Sequence, residues 1–383
     1  MDDLRGAWWR APLRAWIVSR ALVLVAALAA VALFGVPSRG VDSAVPEALA
    51  YLGPWDTTWY LDIARNGYAL DGPSVGVDFT NLAFFPLLPL AMAGAIRIGL
   101  NPFVATIVLN HLALLGALLA LQRLTEPRWG RRMADLAVWS TALAPPMIVA
   151  SMAYTEAVVI CGAVVAALLA TRGRWVWAGL LAAPLAVARP TGALVAVLLV
   201  LLALASEGRA APRLARAIAA GVPSLAALAS FGVWMQRQRG SWHLPLDAQG
   251  AWDRGSPVVG LVTHLPGELW DIVRGITFMT RDVQITASLR DLAFLAVYVW
   301  LGVRLVRMGA SRPWVVYSAL ALGVPLMSGS IESAARFGVL AFPLAWPAGR
   351  WLADGDDRRR RWAAAAAAAV TVVMVAQLRL RAP

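Results

Sequence analysis

An all-α protein that crosses a membrane many times, in about 11–12 helices, is what this sequence predicts, and three observations carry the prediction. Hydrophobic residues make up 60% of the 383 and charged residues only 15%, with a mean hydropathy of +0.66, values foreign to soluble domains of this size. Apolar runs of span length recur along the whole chain. The charges gather in short loops between those runs, and all 34 basic residues are arginine.

The candidate spans, each near the ~20 residues that a hydrocarbon core requires, lie at 15–35, 103–122, 134–150, 154–171, 175–188, 191–206, 214–236, 289–306, 313–329, 337–352 and 362–379. The first follows Arg5, Arg10 and Arg14, and its length and lack of an A-x-A-like site make it a retained span rather than a signal peptide. Segment 83–99 is ambiguous: it opens Ala83-Phe84-Phe85-Pro86 and reaches Arg97 after a run that, at ~1.5 Å per residue, barely crosses the core. The chain reads as one integral-membrane domain over 1–383, with long loops at 36–82 and 238–288. No repeat of span-pair length and no GxxxxGK[ST] loop is present.

A formal charge of +12 can mean nucleic acid, but arginine in short loops between spans is explained by orientation in a bilayer. If every segment crosses, the clusters Arg123/Arg128/Arg131/Arg132, Arg172/Arg174, Arg209/Arg213/Arg216 and Arg358 to Arg361 fall outside, against the positive-inside rule. If one early segment fails to cross, they fall inside together with Arg304, Arg307 and Arg312. The loops 36–82 and 238–288 then face outward with 150–156, 189–191 and 328–336. Cys161, the single cysteine, sits in an apolar run and excludes an intrachain disulfide. His111, His243 and His264 are far apart, so no metal site is expected.

The polar, aromatic and acidic run Trp55-Asp56-Thr57-Thr58-Trp59-Tyr60-Leu61-Asp62-Ile63 stands out and is read as the catalytic loop. As a helix it places Asp56, Trp59, Tyr60 and Ile63 on one face and Asp62 on another. Asp56, flanked by Trp55 and Trp59, is then placed to take a proton from a hydroxyl nucleophile. The plainer alternatives are a helix-start acid and an interfacial aromatic helix. Glu156, at the mouth of a span, is a functional residue or a helix cap. Arg189 and Arg336 lie at outer boundaries where the charge rule disfavours cations. Guanidinium suits phosphate oxygens, with snorkelling to headgroups as the alternative. Gln249 and Trp252 offer an amide and an indole to a sugar subsite, or an interfacial anchor. Asp78 and Asn81 either orient Asp56 and bind hydroxyls or cap a loop.

Several of these motifs, in order, resemble the mannosyltransferases related to the PIG-V enzyme of GPI-anchor synthesis. They are Trp55-Asp56-x-x-Trp59-Tyr60-x-x-Ile63-Ala64-x-x-Gly67-Tyr68, then Phe84-Phe85-Pro86-Leu87-x-Pro89-Leu90 and Tyr154-Thr155-Glu156-Ala157. Ala188-Arg189-Pro190-Thr191-Gly192, Gln249-x-x-Trp252 and Ser333-x-x-Arg336-Phe337 with Phe342-Pro343 complete the set. Phe337 stands where the family has Tyr, and Ala188 where Ser is commoner. The resemblance implies a GT-C glycosyltransferase that takes mannose from polyprenyl-phosphate mannose and delivers it to a lipid or glycan acceptor on the extracytoplasmic side, with Asp56 as base. The lysine-free composition points to a bacterial plasma membrane, so a GPI acceptor does not carry over.

An inverting displacement needs one base and cations for the leaving phosphate, which assigns Asp56 as base and Arg336 and Arg189 to the phosphate. Trp55, Trp59, Tyr60, Asp78, Asn81, Glu156, Gln249 and Trp252 are assigned to substrate. A lipid monophosphate lacks the diphosphate that usually recruits a metal, so no metal or other cofactor is expected. The rival readings are another lipid-phosphate sugar, arabinosyl or glucosyl, and a lipid or sugar transporter.

Overall fold

A computed structural model describes residues 8–36, 45–53, 55–69, 80–252, 266–267, 269–270, 272, 274, 283–327 and 330–379. Among them the secondary structure is helical, without a strand. Among the described residues three helices are long and apolar enough to cross a membrane: Arg10–Phe34, Pro102–Trp129 and Ala210–Arg239. Their ends are chemically marked. The Asn101 side chain accepts the Phe103 and Val104 N–H groups ahead of Pro102, and Arg239 is followed by Gly240 in the left-handed region at φ 72°.

The expected count of about 11–12 spans is a count of apolar runs rather than of straight spanning helices. Run 134–150 splits into Arg131–Ala142 and the 3-10 turn Pro145–Ser151, bent by 70°, because Pro145 and Pro146 lack the N–H that would continue the helix. Only if that pair counts as one span does the number reach four. Run 337–352 likewise becomes Ala334–Gly338, the 3-10 turn Phe342–Leu344 and Ala345–Ala353, with Pro343 at the break. Glu156–Thr171, Trp175–Ala186 and Leu194–Leu204 are apolar but short. Both breaks fall next to polar residues that matter below.

The core is built largely from alanine. Ala117, Ala137, Ala163, Ala167, Ala178 and Ala182 are all at most 2% exposed, and small side chains let helix backbones approach closely. Larger plugs sit between them: Trp346 is 1% exposed and its indole N–H donates to Thr125 Oγ1 at 2.9 Å.

Helices that reach the polar loops carry arginine at their other ends. Pro102–Trp129 binds the carbonyls of Met152 and Tyr154 through Asn110 and carries Arg128 in its last turn. Glu156–Thr171 runs from Glu156 to Arg172. Asp357–Gln377 starts at Arg358 to Arg361 and finishes where Leu378 O accepts the Trp55 indole N–H at 3.0 Å. Leu87–Arg97 is the exception in length: 11 residues, roughly 16 Å at 1.5 Å per residue, about half a hydrocarbon core. Four residues later the chain enters Pro102–Trp129 at its polar-loop end. Leu88 and Met92 pack in one cluster with Phe103 and Ile107 of that helix's first turns.

Candidate active site

Four charged residues from four separate stretches meet as an alternating row. Arg336 Nη1 lies 2.6 Å from Asp56 Oδ2 across 280 residues of sequence. Its Nε lies 3.4 Å from Glu156 Oε1, within ion-pair range but misaligned for a hydrogen bond. Glu156 Oε1 also meets Arg189 Nη1 at 2.5 Å. In space the order is Asp56, Arg336, Glu156, Arg189. The side chains of Arg336, Glu156 and Arg189 are 6%, 2% and 11% exposed, that of Asp56 23%, so the row opens toward the cavity at its acidic end.

Each member is held by local structure. Asp56 opens the helix Asp56–Asn66, in whose first turn a carboxylate is favourable, and its backbone N–H donates to Tyr154 Oη at 3.4 Å. Tyr154 and Phe337 are the aromatic floor: the Arg336 guanidinium carbon is 5.1 Å from the Tyr154 ring centre and 4.9 Å from that of Phe337, which also lies 4.8 Å from Arg189. A ring face under two cations needs no hydroxyl. Arg189 enters through an extended residue before the turn Pro190–Ala193. Gly192 is required there, since a Cβ would meet Leu185 O at 1.9 Å.

Burial works against the charge of Arg336, but the carboxylates of Asp56 and Glu156 outweigh it and hold the guanidinium above its ordinary range. Burial, then the charge of Asp56, pushes the phenols of Tyr60 and Tyr154 upward. Both tyrosines therefore remain protonated donors.

The row lines a cavity of about 410 Å³ together with Tyr60, Phe84, Thr191, Gln249, Pro325 and Met327, the size of a small-molecule site. Arg189 Nε and Thr191 Oγ1 are buried there without a hydrogen-bond partner. Buried donors left open are costly unless a ligand meets them.

The other residues singled out by sequence distribute as follows. Asp56, Tyr60, Glu156, Arg189, Gln249 and Arg336 line the cavity, with the Gln249 amide donating to Ala83 O at 2.7 Å. Trp55 does not: at φ 71° its indole turns to the Leu378 carbonyl. Trp59 stacks on Phe84 at 5.7 Å, outside the cavity lining. Asn81 is buried and used up as a staple, donating to Asp62 Oδ2 at 2.7 Å and to Gly67 O, and accepting the Ala69 N–H; it does not reach Asp56. Asp78 lies outside the described residues, and so does the Trp252 side chain.

One contributor escaped sequence reading. Asp291, 1% exposed, accepts the backbone N–H of Ser333 at 3.1 Å and of Ala335 at 3.0 Å, clamping the loop that presents Arg336. Tyr298, on the same helix Val283–Arg307, donates to Ala335 O at 2.8 Å. Its ring lies so close to Gly338 that a Cβ would sit 2.0 Å away. An acid inside an apolar helix was the available signal. Among the described residues no three His, Cys, Asp or Glu side chains converge on a metal position.

No protein-family model matches the sequence, and no curated protein matches it. Among solved structures the chain is similar to the oligosaccharyltransferase of Archaeoglobus fulgidus in its apo form, with a TM-score of 0.51 and 15% identity over 100% of this chain and 57% of that one. This chain therefore spans less than two thirds of that protein's length. The likeness is one of fold, and the fold is the all-α, multi-pass GT-C type.

Proposed function

We propose that this protein is an integral-membrane glycosyltransferase that moves a sugar from a polyprenyl phosphate to a hydroxyl of a lipid or glycan. The observation that carries the reading is the 2.6 Å contact of Asp56 with Arg336 at the mouth of the cavity. In this reading the pair serves as base and phosphate-binding cation side by side. The GT-C-type fold supports transferase chemistry. The motif resemblance in the sequence supports mannose as the sugar, and a bacterial plasma membrane with the cavity on its extracytoplasmic face as the setting.

In this reading the donor phosphate occupies the side of the cavity where Arg189 Nε and Thr191 Oγ1 lack partners. It draws Arg336 toward itself, and Asp56 is released to accept the acceptor's hydroxyl proton. The acceptor oxygen bonds to the anomeric carbon as the carbon–phosphate oxygen bond breaks. The electron pair passes to the phosphate, where the two guanidiniums stabilise it. Displacement from the opposite face inverts the anomeric centre. Glu156 balances the charge of both guanidiniums and holds them correctly spaced before the donor binds. No step assigns work to a metal, and a chelator is expected to leave transfer intact.

The test is transfer from radiolabelled polyprenyl-phosphate mannose to envelope lipid by the purified chain. Asp56→Asn is expected to lose transfer and keep donor binding. Full transfer by that variant removes Asp56 as base. Transfer from another polyprenyl-phosphate sugar in place of mannose corrects the donor and keeps the mechanism.

A further inference from the structure

Helix Val283–Arg307 leaves the Arg336 clamp at Asp291 and reaches Arg304 and Arg307 after 13 and 16 residues, roughly 20–24 Å along its axis. There the ends of three helices border a second, open cavity of about 450 Å³, lined by Trp129, Arg304, Arg307, Met308, Arg350 and Asp354. It holds three guanidiniums and one carboxylate, an excess of two positive charges (3 − 1). Asp354 is committed to Arg350 at 3.0 Å. Among the described residues neither Arg304 nor Arg307 has a carboxylate within ion-pair range, and Arg304 rests 5.1 Å over the Trp300 ring.

A second feature leads into the same cavity. Val299, Trp300, Val303 and Val306 are 53%, 41%, 45% and 56% exposed and follow the i, i+1, i+4, i+7 spacing of one helix face, so they form one apolar stripe on the helix. In a multi-pass membrane protein such a stripe faces acyl chains, and the guanidiniums at its end lie at headgroup depth. Trp300 also meets Trp351 edge to face at 6.0 Å, which walls the stripe where it meets the arginines. Apolar track and unpaired cations are thus continuous, the two halves of a phospholipid's own chemistry.

We propose that this cavity binds the headgroup of an anionic phospholipid carrying two phosphodiester charges, with its acyl chains along the Val299–Val306 stripe. Two phosphates match the excess of two charges, and guanidinium binds phosphate oxygens in pairs. The site lies at the opposite end of the helix from the candidate active site and does not depend on what that site catalyses.

The experiment is native mass spectrometry of the delipidated full chain, titrated separately with a cardiolipin-class lipid, phosphatidylglycerol, phosphatidylcholine and inorganic phosphate. The two-phosphate lipid is expected to be retained as one equivalent, at least about tenfold better than phosphatidylcholine. Arg304→Ala/Arg307→Ala should lose that preference, while the charge-matched control Arg172→Ala/Arg174→Ala, at exposed positions, keeps it. Equal retention of all lipids, loss in both variants alike, or displacement by inorganic phosphate at equal concentration would overturn the proposal. Should the double variant fail to fold, the lipid ranking of the unaltered chain decides alone.

Discussion

Asp56 shows how much can depend on one hydrogen bond. With Arg336 on Oδ2 the carboxylate is occupied, and in the proposed mechanism it serves as base only once something anionic competes for the guanidinium. Asp56→Asn should lower kcat by about 10²- to 10⁴-fold, the usual worth of a general base, with donor affinity largely kept, measured by single-turnover transfer beside equilibrium binding. Glu156 behaves differently, because it neutralises two guanidiniums at once. Replacing it with Gln leaves like charges buried together and should cost about 3–5 kcal/mol of stability, seen as a lowered melting temperature even without substrate. Tyr60 and Tyr154 set the alkaline limit. Their folded pKa values are raised, so the stability they contribute is complete below the ordinary tyrosine value and is lost as pH climbs beyond about 10. Melting temperature should fall above that pH, and Tyr60→Phe should flatten the fall.

At the scale of elements, the polar residues of the site were legible because acids and arginines are conspicuous beside apolar runs. Asp56 and Tyr60 share the cavity as the i, i+4 spacing of a helix requires. Glu156, Arg189 and Arg336 likewise stood out as charges at the mouths of spans. What could not be read was the backbone between them. Pro145-Pro146 and Pro343 break runs that hydropathy alone joins, since an average over a window does not register a missing N–H. Asn81 and Trp55 have side chains suited to substrate, yet the fold spends them on Asp62 and Leu378, a choice made by partners distant in sequence. Asp291 was hidden because its role is toward two backbone N–H groups of another element. Asp291→Asn retains one acceptor and loses the other, so it should reduce kcat while circular dichroism still shows the native helix content. Unchanged kcat would make the clamp dispensable for placing Arg336.

Across the whole molecule, the cavity and the arginine clusters occupy opposite ends of the same helices. Leu87–Arg97, 11 residues long, is too short at about 1.5 Å per residue to cross a hydrocarbon core alone. In a Cys161→Ala background, Arg172→Cys and Trp242→Cys should therefore react with an impermeant thiol reagent from opposite faces of sealed vesicles. Reaction of both from one face would undo the two-ended arrangement. The thread that closes the molecule runs from its last described helix to its first polar loop: Ala376 O takes the Tyr51 hydroxyl at 3.1 Å and Leu378 O takes the Trp55 indole. A ribosome delivers those carbonyls some three hundred residues after the tryptophan. Until that late arrival, Trp55 beside Asp56 lacks this anchor, so a premature stop in the final helix should lower activity without touching any residue of the cavity.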